Sequence, residues 1–398
     1  MRNPSHAKQS GAIAAGMKRL CGVSVAILML AACSEADRSE PPSAPETGPA
    51  VTPATSAADA LVRACGESNG IRTVCGFKNP EDLVVVPGGE FLLVSEMGAF
   101  LSDAPGTLSL LNVAQEQRHD LPINWHLKSD AERRGSDAER WGDQNCSPPT
   151  PARLSPHGID LVTRDDGRHL LLVVNHGDEQ VEFFELARND ADWQLHWMGC
   201  AKPPGDPFIN HVAGLPDGGF VATHMWNKSL PFDEVVARLT AGEATGWVWQ
   251  WSPGDGFTKL PGSDDLMPNG IAVSADGSTV FVNIYMGNKT VAINRSSGAR
   301  ESQFIVKNPD NILLAADGKL WLASHLNDPI EGRCEEGHPG PCLLPFQILR
   351  ADPETMAADV AFTHDGAPMG YVTVALPHAG RVWFGTASGD RLASIAQP

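Results

Sequence analysis

A pattern of two short apolar runs separated by a glycine-containing turn recurs six times between residue 81 and the C-terminus. In the second copy, residues 159–162 and 170–174 flank the turn Asp165-Asp166-Gly167. Such a turn is a strong hairpin signal, because glycine accepts the positive φ of tight hairpin turns. The pattern therefore predicts six β-hairpins. The paired apolar runs are 83–86 with 91–94, 159–162 with 170–174, 212–215 with 220–222, 271–273 with 280–284, 312–314 with 320–323, and 371–375 with 382–385.

The spacing of these hairpins indicates the architecture. Successive turn glycines are 41 to 78 residues apart. A four-stranded blade of a β-propeller needs about 40 to 50 residues, so the longer intervals contain inserted loops. We therefore expect an all-β, six-bladed β-propeller over residues 60–398, with a β-sandwich as the alternative. The turn glycines are Gly89, Gly167, Gly218, Gly277, Gly318 and Gly380.

Polar side chains stand just before the first apolar run in five of the six copies, whereas the sixth has only Met369-Gly370. In a propeller the first strand of each blade lines the central channel, so equivalent positions converge on the axis. Carboxylate and amide oxygens are the ligands that Ca²⁺ prefers, and turn capping is the alternative role for these residues. The pattern predicts a central calcium site. Its candidate ligands are Glu81, Asn210, Asn269, Asp310 and Asn311.

Two histidines belong to the second copy. His157 shares the ring position of the candidate ligands, and His176 follows the partner strand in Val174-Asn175-His176. An imidazole titrates near neutral pH, so a histidine beside a cation and an open channel is suited to general base catalysis. Ordinary packing among the strands is the alternative, and the sequence leaves both open.

The N-terminal segment differs from the rest of the chain. Residues 1–32 combine Lys18 and Arg19 with an apolar run over 20–32. This run is shorter than the ~20 residues of a membrane-spanning helix, which is the alternative, and it predicts a signal peptide. The tetrad Leu30-Ala31-Ala32-Cys33 resembles a bacterial lipobox, which implies lipidation at Cys33.

The residues after Cys33 indicate how the anchored protein is held. Residues 33–59 are rich in Pro, Ser, Ala, Glu and Thr and predict a disordered tether. Ser34 follows the cysteine, with no Asp there, and resemblance to Gram-negative lipoproteins then implies the outer membrane, facing the periplasm or the exterior.

Charge excludes one class of partner. The formal net charge is −18, and loss of the four basic residues of segment 1–32, which has no acidic residue, makes it −22. Such a surface repels phosphate backbones, so we expect no nucleic acid partner.

Six of the eight cysteines remain after removal of Cys21 and lipidation of Cys33. An even count in an exported protein predicts disulfides, and the absence of Cys-x-x-Cys leaves zinc without support. Proximity along the chain favours one of the 15 possible connectivities. It pairs Cys65 with Cys75, Cys146 with Cys200, and Cys334 with Cys342.

From about residue 60 onward, the motifs resemble those of the paraoxonase/arylesterase lactonases. These are six-bladed propellers related to gluconolactonase-like and strictosidine-synthase-like proteins. The matching strings are Pro80-Glu81-Asp82-Leu83, Pro156-His157-Gly158-Ile159, Val174-Asn175-His176, Pro268-Asn269-Gly270-Ile271 and Pro309-Asp310-Asn311-Ile312.

The resemblance implies roles for particular residues. The five candidate ligands would hold a catalytic Ca²⁺, with His157 as general base or water-positioning residue and His176 as its partner. Asp82 and the Ile159 carbonyl match ligands of a second, structural Ca²⁺ in the family. His211 stands where the family has a further Asp, which makes the second ion doubtful, and no Cys follows Cys342 to form the family's closing disulfide.

Together these features predict a calcium-dependent hydrolase of lactones or carboxylic esters at the cell envelope, with a small-molecule substrate and an undetermined oligomeric state. One alternative is a gluconolactonase-like enzyme that uses Glu81, Asn269 and Asp310 on sugar lactones. Another is a surface-anchored propeller that binds a ligand without catalysis. Loops near 100–156 and 325–346 would roof the channel. The candidate wall residues are Trp125, His126, His224, Trp226 and His325.

Overall fold

The computed structural model describes most of the chain after residue 63. Contacts divide the chain into residues 1–54 and 55–398, and every described residue belongs to the second unit. The predicted signal peptide 1–32, the tether 33–59 and Cys33 lie outside the described residues. The described residues are 64–68, 70–99, 102–126, 141–143, 145–189, 192–327, 330, 334 and 341–398.

The described residues form six mainly antiparallel sheets of four or five strands. Each sheet is one blade, and the six predicted hairpins form the two innermost strands of the six blades. The six turn glycines have φ between +70° and +85°, the left-handed region that the hairpin signal requires. The predicted all-β, six-bladed propeller is therefore confirmed.

Blades 1 to 3 follow one another along the chain after two N-terminal strands, β1 (Gly66–Ser68) and β2 (Ile71–Cys75). Blade 1 contains β3 (Pro80–Val85), β4 (Phe91–Glu96), β5 (Thr107–Asn112) and β6 (Gln117–Asp120). Blade 2 contains β7 (Ile123–Asn124), β8 (Pro156–Thr163), β9 (His169–Asn175), β10 (Gln180–Asn189) and β11 (Asp192–Ala201). Blade 3 contains β12 (Ile209–Gly214), β13 (Phe220–His224), β14 (Trp247–Ser252) and β15 (Gly256–Lys259).

Blades 4 to 6 complete the ring. Blade 4 contains β16 (Pro268–Val273), β17 (Thr279–Ile284), β18 (Lys289–Asn294) and β19 (Arg300–Ile305). Blade 5 contains β20 (Pro309–Leu314), β21 (Leu320–His325), β22 (Phe346–Ala351) and β23 (Ala358–His364). Blade 6 contains β24 (Val372–His378), β25 (Arg381–Thr386) and β26 (Arg391–Ala396).

The two ends of the propeller domain meet in blade 6. β2 pairs antiparallel with β26, and β1 pairs with β2, so the N-terminal strands form the outer edge of the C-terminal blade. Backbone hydrogen bonds thus close the ring. The three predicted disulfides are confirmed, and Cys65–Cys75 lies within this closing hairpin.

Apolar side chains fill the interfaces between blades. Each pair of neighbouring blades encloses one cluster of buried residues. Between blades 5 and 6, for example, Phe346 and Phe384 pack edge to face at 5.8 Å between ring centroids. Burial of such a side chain stabilises the fold by about 1.5–3 kcal/mol. Because the interfaces between blades supply this stabilisation, the channel strands can carry polar residues toward the axis.

One helix interrupts blade 3. The helix α1 (Phe232–Thr240) lies between β13 and β14, and a short 3₁₀ helix spans Pro151–Arg153 before β8. α1 buries Val235 and Leu239 in a cluster with Trp226. In the described part of the chain, no helix is long and apolar enough to cross a membrane.

Candidate active site

The channel-lining strand of every blade has a break in register at the same place. In β16, for example, the regular pairing with β17 is interrupted between Pro268 and Ile271. Breaks of this kind re-aim side chains and bend the strand. The sequence pattern predicts the polar residues just before these strands, but five of the strands begin three residues earlier than expected and include them. The other breaks lie between Pro80 and Asp82, Pro156 and Ile159, Ile209 and Val212, Pro309 and Ile312, and Val372 and Ala375.

The first residue after the start of each break lines one cavity on the propeller axis. The sixth position is Thr373 rather than the expected Met369-Gly370, and Thr373 Oγ1 donates a hydrogen bond to Glu81 O at 2.6 Å. Asn311 lies one position farther along β20, and its Nδ2 donates to Glu81 Oε1 at 2.8 Å. Four of the five candidate ligands therefore line the cavity, and Asn311 lies behind Glu81. The six equivalent residues are Glu81, His157, Asn210, Asn269, Asp310 and Thr373.

Four oxygen atoms of the candidate ligands are buried and have no hydrogen-bond partner among the described residues. Each unpartnered buried acceptor costs about 1–3 kcal/mol, so four in one place require an explanation. Only an electron-poor partner can satisfy them, and a hard cation that prefers carboxylate and amide oxygens fits this donor set. The four atoms are Glu81 Oε2, Asn210 Oδ1, Asn269 Oδ1 and Asn311 Oδ1.

The ring also carries two carboxyl groups that the protein leaves poorly compensated. Burial and the nearby Asp82 charge raise the pKa of Glu81 above its ordinary value. Burial and the Glu81 charge likewise raise the pKa of Asp310. Among the described residues, no three His, Cys, Asp or Glu side chains are grouped to hold a metal ion. Three of the five candidate ligands are asparagines, so a group that consists only of His, Cys, Asp and Glu does not include them.

Asp82 has its own counter-charge. Its Oδ2 accepts hydrogen bonds from Ile159 N at 2.7 Å and from His211 Nε2 at 2.9 Å, and Oδ1 accepts one from Leu83 N. Burial alone would lower the pKa of His211, but the Asp82 carboxylate raises it to about 9. Ile159 thus turns its N–H, not its carbonyl, toward Asp82. The residues proposed for a second calcium do not fit a second cation.

The His157-Gly158 pair of the sequence has a steric reason. A Cβ atom at Gly158 would lie 2.4 Å from Cδ2 of His211. It would also lie 2.6 Å from Cα of His211 and 2.7 Å from Asn210 O, so glycine is required where both the His211 ring and the backbone of β12 approach β8.

The two predicted histidines lie side by side. His157 Nδ1 lies 2.9 Å from Asn210 O, and because a carbonyl only accepts, Nδ1 carries the proton and Nε2 is left to accept one. The ring centroids of His157 and His176 are 4.9 Å apart. Burial lowers the pKa of His157 to about 4, so the ring is neutral near pH 7. His176 Nδ1 lies 2.9 Å from Oε1 of Glu179, a residue that the sequence analysis missed.

The walls of the cavity are largely apolar. Of the expected wall residues, Trp226 and His325 line it. Trp125 instead packs against Phe184, His126 is exposed, and His224 packs against Trp247. The main wall that sequence reasoning missed is α1, whose only signal was an amphipathic run inserted between two hairpins. The apolar lining residues are Met225, Trp226, Phe232, Val236, Leu239, Met267, Met286, Ile330 and Ala387, beside Tyr285 and Tyr371, the two tyrosines of the chain.

We expect His211→Leu to destabilise the fold by about 3–5 kcal/mol, because it leaves the Asp82 carboxylate buried without a cation. The double variant Asp82→Asn/His211→Leu should recover much of this loss, since both charges are then absent. Urea unfolding in the presence of a chelator measures both effects. The exposed control His126→Leu should stay within about 0.5 kcal/mol. If the losses of His211→Leu and Asp82→Asn, each measured alone, simply add in the double variant, the two side chains do not interact.

Comparisons with known proteins agree with this description. No protein-family model matches the chain. It is 28% identical over 242 residues to serum paraoxonase/arylesterase 1 of Mus musculus, covering 58% of this chain and 66% of the mouse protein, just under two thirds. It is 24% identical over 336 residues to serum paraoxonase/arylesterase 1 of Homo sapiens, covering 81% of this chain and 86% of the human protein.

A solved structure shares the fold. A luciferin-regenerating enzyme has a TM-score of 0.50 at 10% identity, covering 82% of this chain and 95% of that chain. At this identity the likeness shows the architecture alone. The sequence similarity and the blade count together show that the chain is a six-bladed β-propeller that resembles the paraoxonase/arylesterase family.

Proposed function

We propose that this protein is a calcium-dependent hydrolase of lactones or carboxylic esters. The observation that carries the proposal is the group of four buried, unpartnered oxygens from Glu81, Asn210, Asn269 and Asn311, beside the cavity-lining His157. The similarity to proteins named paraoxonase/arylesterase supports a hydrolytic reaction at this site.

The ring residues would hold the calcium ion, with Glu81 and Asp310 as the charged ligands and Asn210, Asn269 and Asn311 as amide ligands. Bound there, calcium would supply a Lewis acid that polarises the substrate carbonyl and stabilises the charge that develops on its oxygen. The two carboxylates would remain ionised beside a cation, despite the burial that raises their pKa values.

His157 acts on the water. Its Nδ1–H is fixed on Asn210 O, so Nε2 accepts a proton from a water molecule as the water oxygen attacks the carbonyl carbon. The bond between the carbonyl carbon and the alkoxy oxygen then breaks, and the proton passes to the leaving oxygen. The adjacent His176 ring keeps His157 in place.

The cavity walls favour substrates with apolar substituents. Trp226, Phe232, Leu239 and Met286 surround the polar floor. A polyhydroxylated sugar lactone would leave hydroxyl groups unpaired against these walls, which disfavours the gluconolactonase-like alternative. Aliphatic lactones and aryl esters are therefore the first substrates to test, with sugar lactones as the comparison.

We expect a calcium chelator to abolish hydrolysis of these substrates and added calcium to restore it, because four oxygens of the candidate ligands have no other partner among the described residues. The thermal midpoint should also fall, since the buried Glu81 and Asp310 then keep only the charge of His211, which is hydrogen-bonded to Asp82. Hydrolysis rates and thermal unfolding with and without the chelator measure both effects. Unchanged hydrolysis after complete calcium removal would contradict the proposal.

His157→Gln should lower kcat by about 10²–10⁴-fold while bound calcium is retained. Glutamine can still donate to Asn210 O but cannot accept and return a proton. The control is His378→Gln. His378 Nε2 donates a hydrogen bond to Gly89 O in the turn between β3 and β4, and kcat of this variant should stay within about twofold of wild type. Steady-state kinetics and calcium analysis of the purified variants provide the measurement. Activity that survives in His157→Gln rules out His157 as the base.

We further propose that the protein is anchored in the cell envelope through a lipid on Cys33. Cys33→Ser should shift the protein from the membrane fraction to the soluble fraction and remove the lipid mass from the mature N-terminus. Cys21→Ser is the matched control, because Cys21 lies in the segment that is cleaved. Cell fractionation measures the location and intact mass spectrometry measures the lipid. If Cys33→Ser stays in the membrane fraction, Cys33 is not the anchor.

A further inference from the structure

Glu179 makes contacts that a surface turn residue does not need. Its Oε1 lies 2.9 Å from His176 Nδ1 and accepts a hydrogen bond from Lys228 Nζ at 2.8 Å. Its Oε2 accepts one from Ile209 N at 3.2 Å, next to the candidate ligand Asn210. The side chain is buried, with only 10% of its surface exposed. One carboxylate therefore links the histidine pair of blade 2 to the start of the channel strand of blade 3.

The backbone at Glu179 has a conformation that its own side chain does not favour. Glu179 has φ +48°, in the left-handed region that is unfavourable for most residues. The β17–β18 hairpin of blade 4 has the same four-residue connection, and Asn288 stands at the equivalent position with φ +53°. Asparagine tolerates this conformation, whereas glutamate gains no local benefit from it. Blade 1 also has a glutamate in such a connection, Glu116 with φ +52° between β5 and β6, and its side chain pairs with Arg72. What distinguishes Glu179 is therefore its set of contacts, which joins it to His176, Lys228 and Ile209.

Lys228 supports the arrangement from the segment between β13 and α1. Its Nζ donates to Glu179 Oε1 and also to His176 O at 3.2 Å. Although burial raises it, the facing His176 and Lys228 hold the pKa of Glu179 below its ordinary value. Glu179 is thus an ionised acceptor. It keeps the proton of His176 on Nδ1 and leaves Nε2 as the ring nitrogen able to take another.

We propose that Glu179, braced by Lys228, is a positioning residue that fixes the orientation and tautomer of His176 and, through it, the placement of His157. This inference rests on the proposed hydrolytic function for its kinetic consequence. The geometry of His176 is independent of that function. The experiment below therefore includes a readout that does not require turnover.

The kinetic test compares three changes at one position. Glu179→Ala removes the acceptor and should lower kcat by about 10–100-fold with KM within about twofold, as loss of an outer partner of a functional histidine commonly does. Glu179→Gln retains an acceptor oxygen for His176 Nδ1–H and should recover part of this loss. The double variant His176→Ala/Glu179→Ala should be no slower than His176→Ala, because Glu179 acts only through His176.

Glu182 provides a matched control. It is a second buried glutamate three residues along, whose carboxylate accepts hydrogen bonds from Asn175, Gln180 and Trp197. Glu182→Gln should lower the thermal midpoint while leaving kcat within about twofold. If Glu179→Ala behaves like Glu182→Gln, or if its kinetic loss multiplies with that of His176→Ala, Glu179 is a structural residue and the inference is wrong.

The second readout is the tautomer of His176. Long-range ¹H–¹⁵N spectra of histidine-labelled protein, assigned with the His176 variant, should show the proton on Nδ1 in wild type and Glu179→Gln. Glu179→Ala should shift His176 to the other tautomer or to a mixture. If wild type hydrolyses none of the substrates but these spectra are as expected, the proposed function fails and the positioning role stands. An unchanged His176 signal in Glu179→Ala overturns the positioning role.

Discussion

Buried oxygen atoms need an electron-poor partner, and near the axis of this propeller lie four for which the described part of the chain supplies none. All belong to candidate ligands on the channel strands, where a break in register turns one side chain per blade toward the cavity. Folding that buries these acceptors without a partner is unfavourable by about 1–3 kcal/mol each. The apolar interfaces between blades offset this penalty. Side chains packed between blades therefore stabilise the ring, while side chains that point to the axis provide the candidate site.

Two layers of the axis deal with buried charge differently. Asp82 is paired within the protein by His211, whose ring passes over Gly158 to reach it. Glu81, the preceding residue, lies in the cavity and has an oxygen without a partner. The carboxylate of Asp82 is thus neutralised by His211, whereas the carboxylate of Glu81 is suited to bind a cation from solution. This difference is the reason that we propose one calcium site and not two.

The six blades share a backbone but not a chemistry. His176 directly follows the residue that pairs with the start of the channel strand, and Tyr285 and His325 occupy the same position in blades 4 and 5. All three line the cavity. Repetition of the fold therefore fixes where side chains can reach the axis, and the identity of each residue decides what it does there. Glu179 shows the same principle in a turn, where blade 4 has Asn288.

The six hairpins and the ring position of Glu81, Asn210, Asn269 and Asp310 could be predicted from the sequence, because period-two strands, turn glycines and repeat phase are local properties of the chain. Proximity along the chain favoured the disulfide pairing that the structure has, but it left 14 other pairings open. The sequence-based prediction misjudged the sixth position, where Thr373 lacks the polar motif of the other blades, and the strand starts, since a break in register depends on the partner strand. Three features could not be predicted because they depend on tertiary contacts: the pairing of Asp82 with His211, 129 residues apart, the α1 wall, and the contact of Glu179 with Lys228. Each joins different blades or an inserted loop, and sequence spacing carries no information about which side chains the closed ring brings into contact.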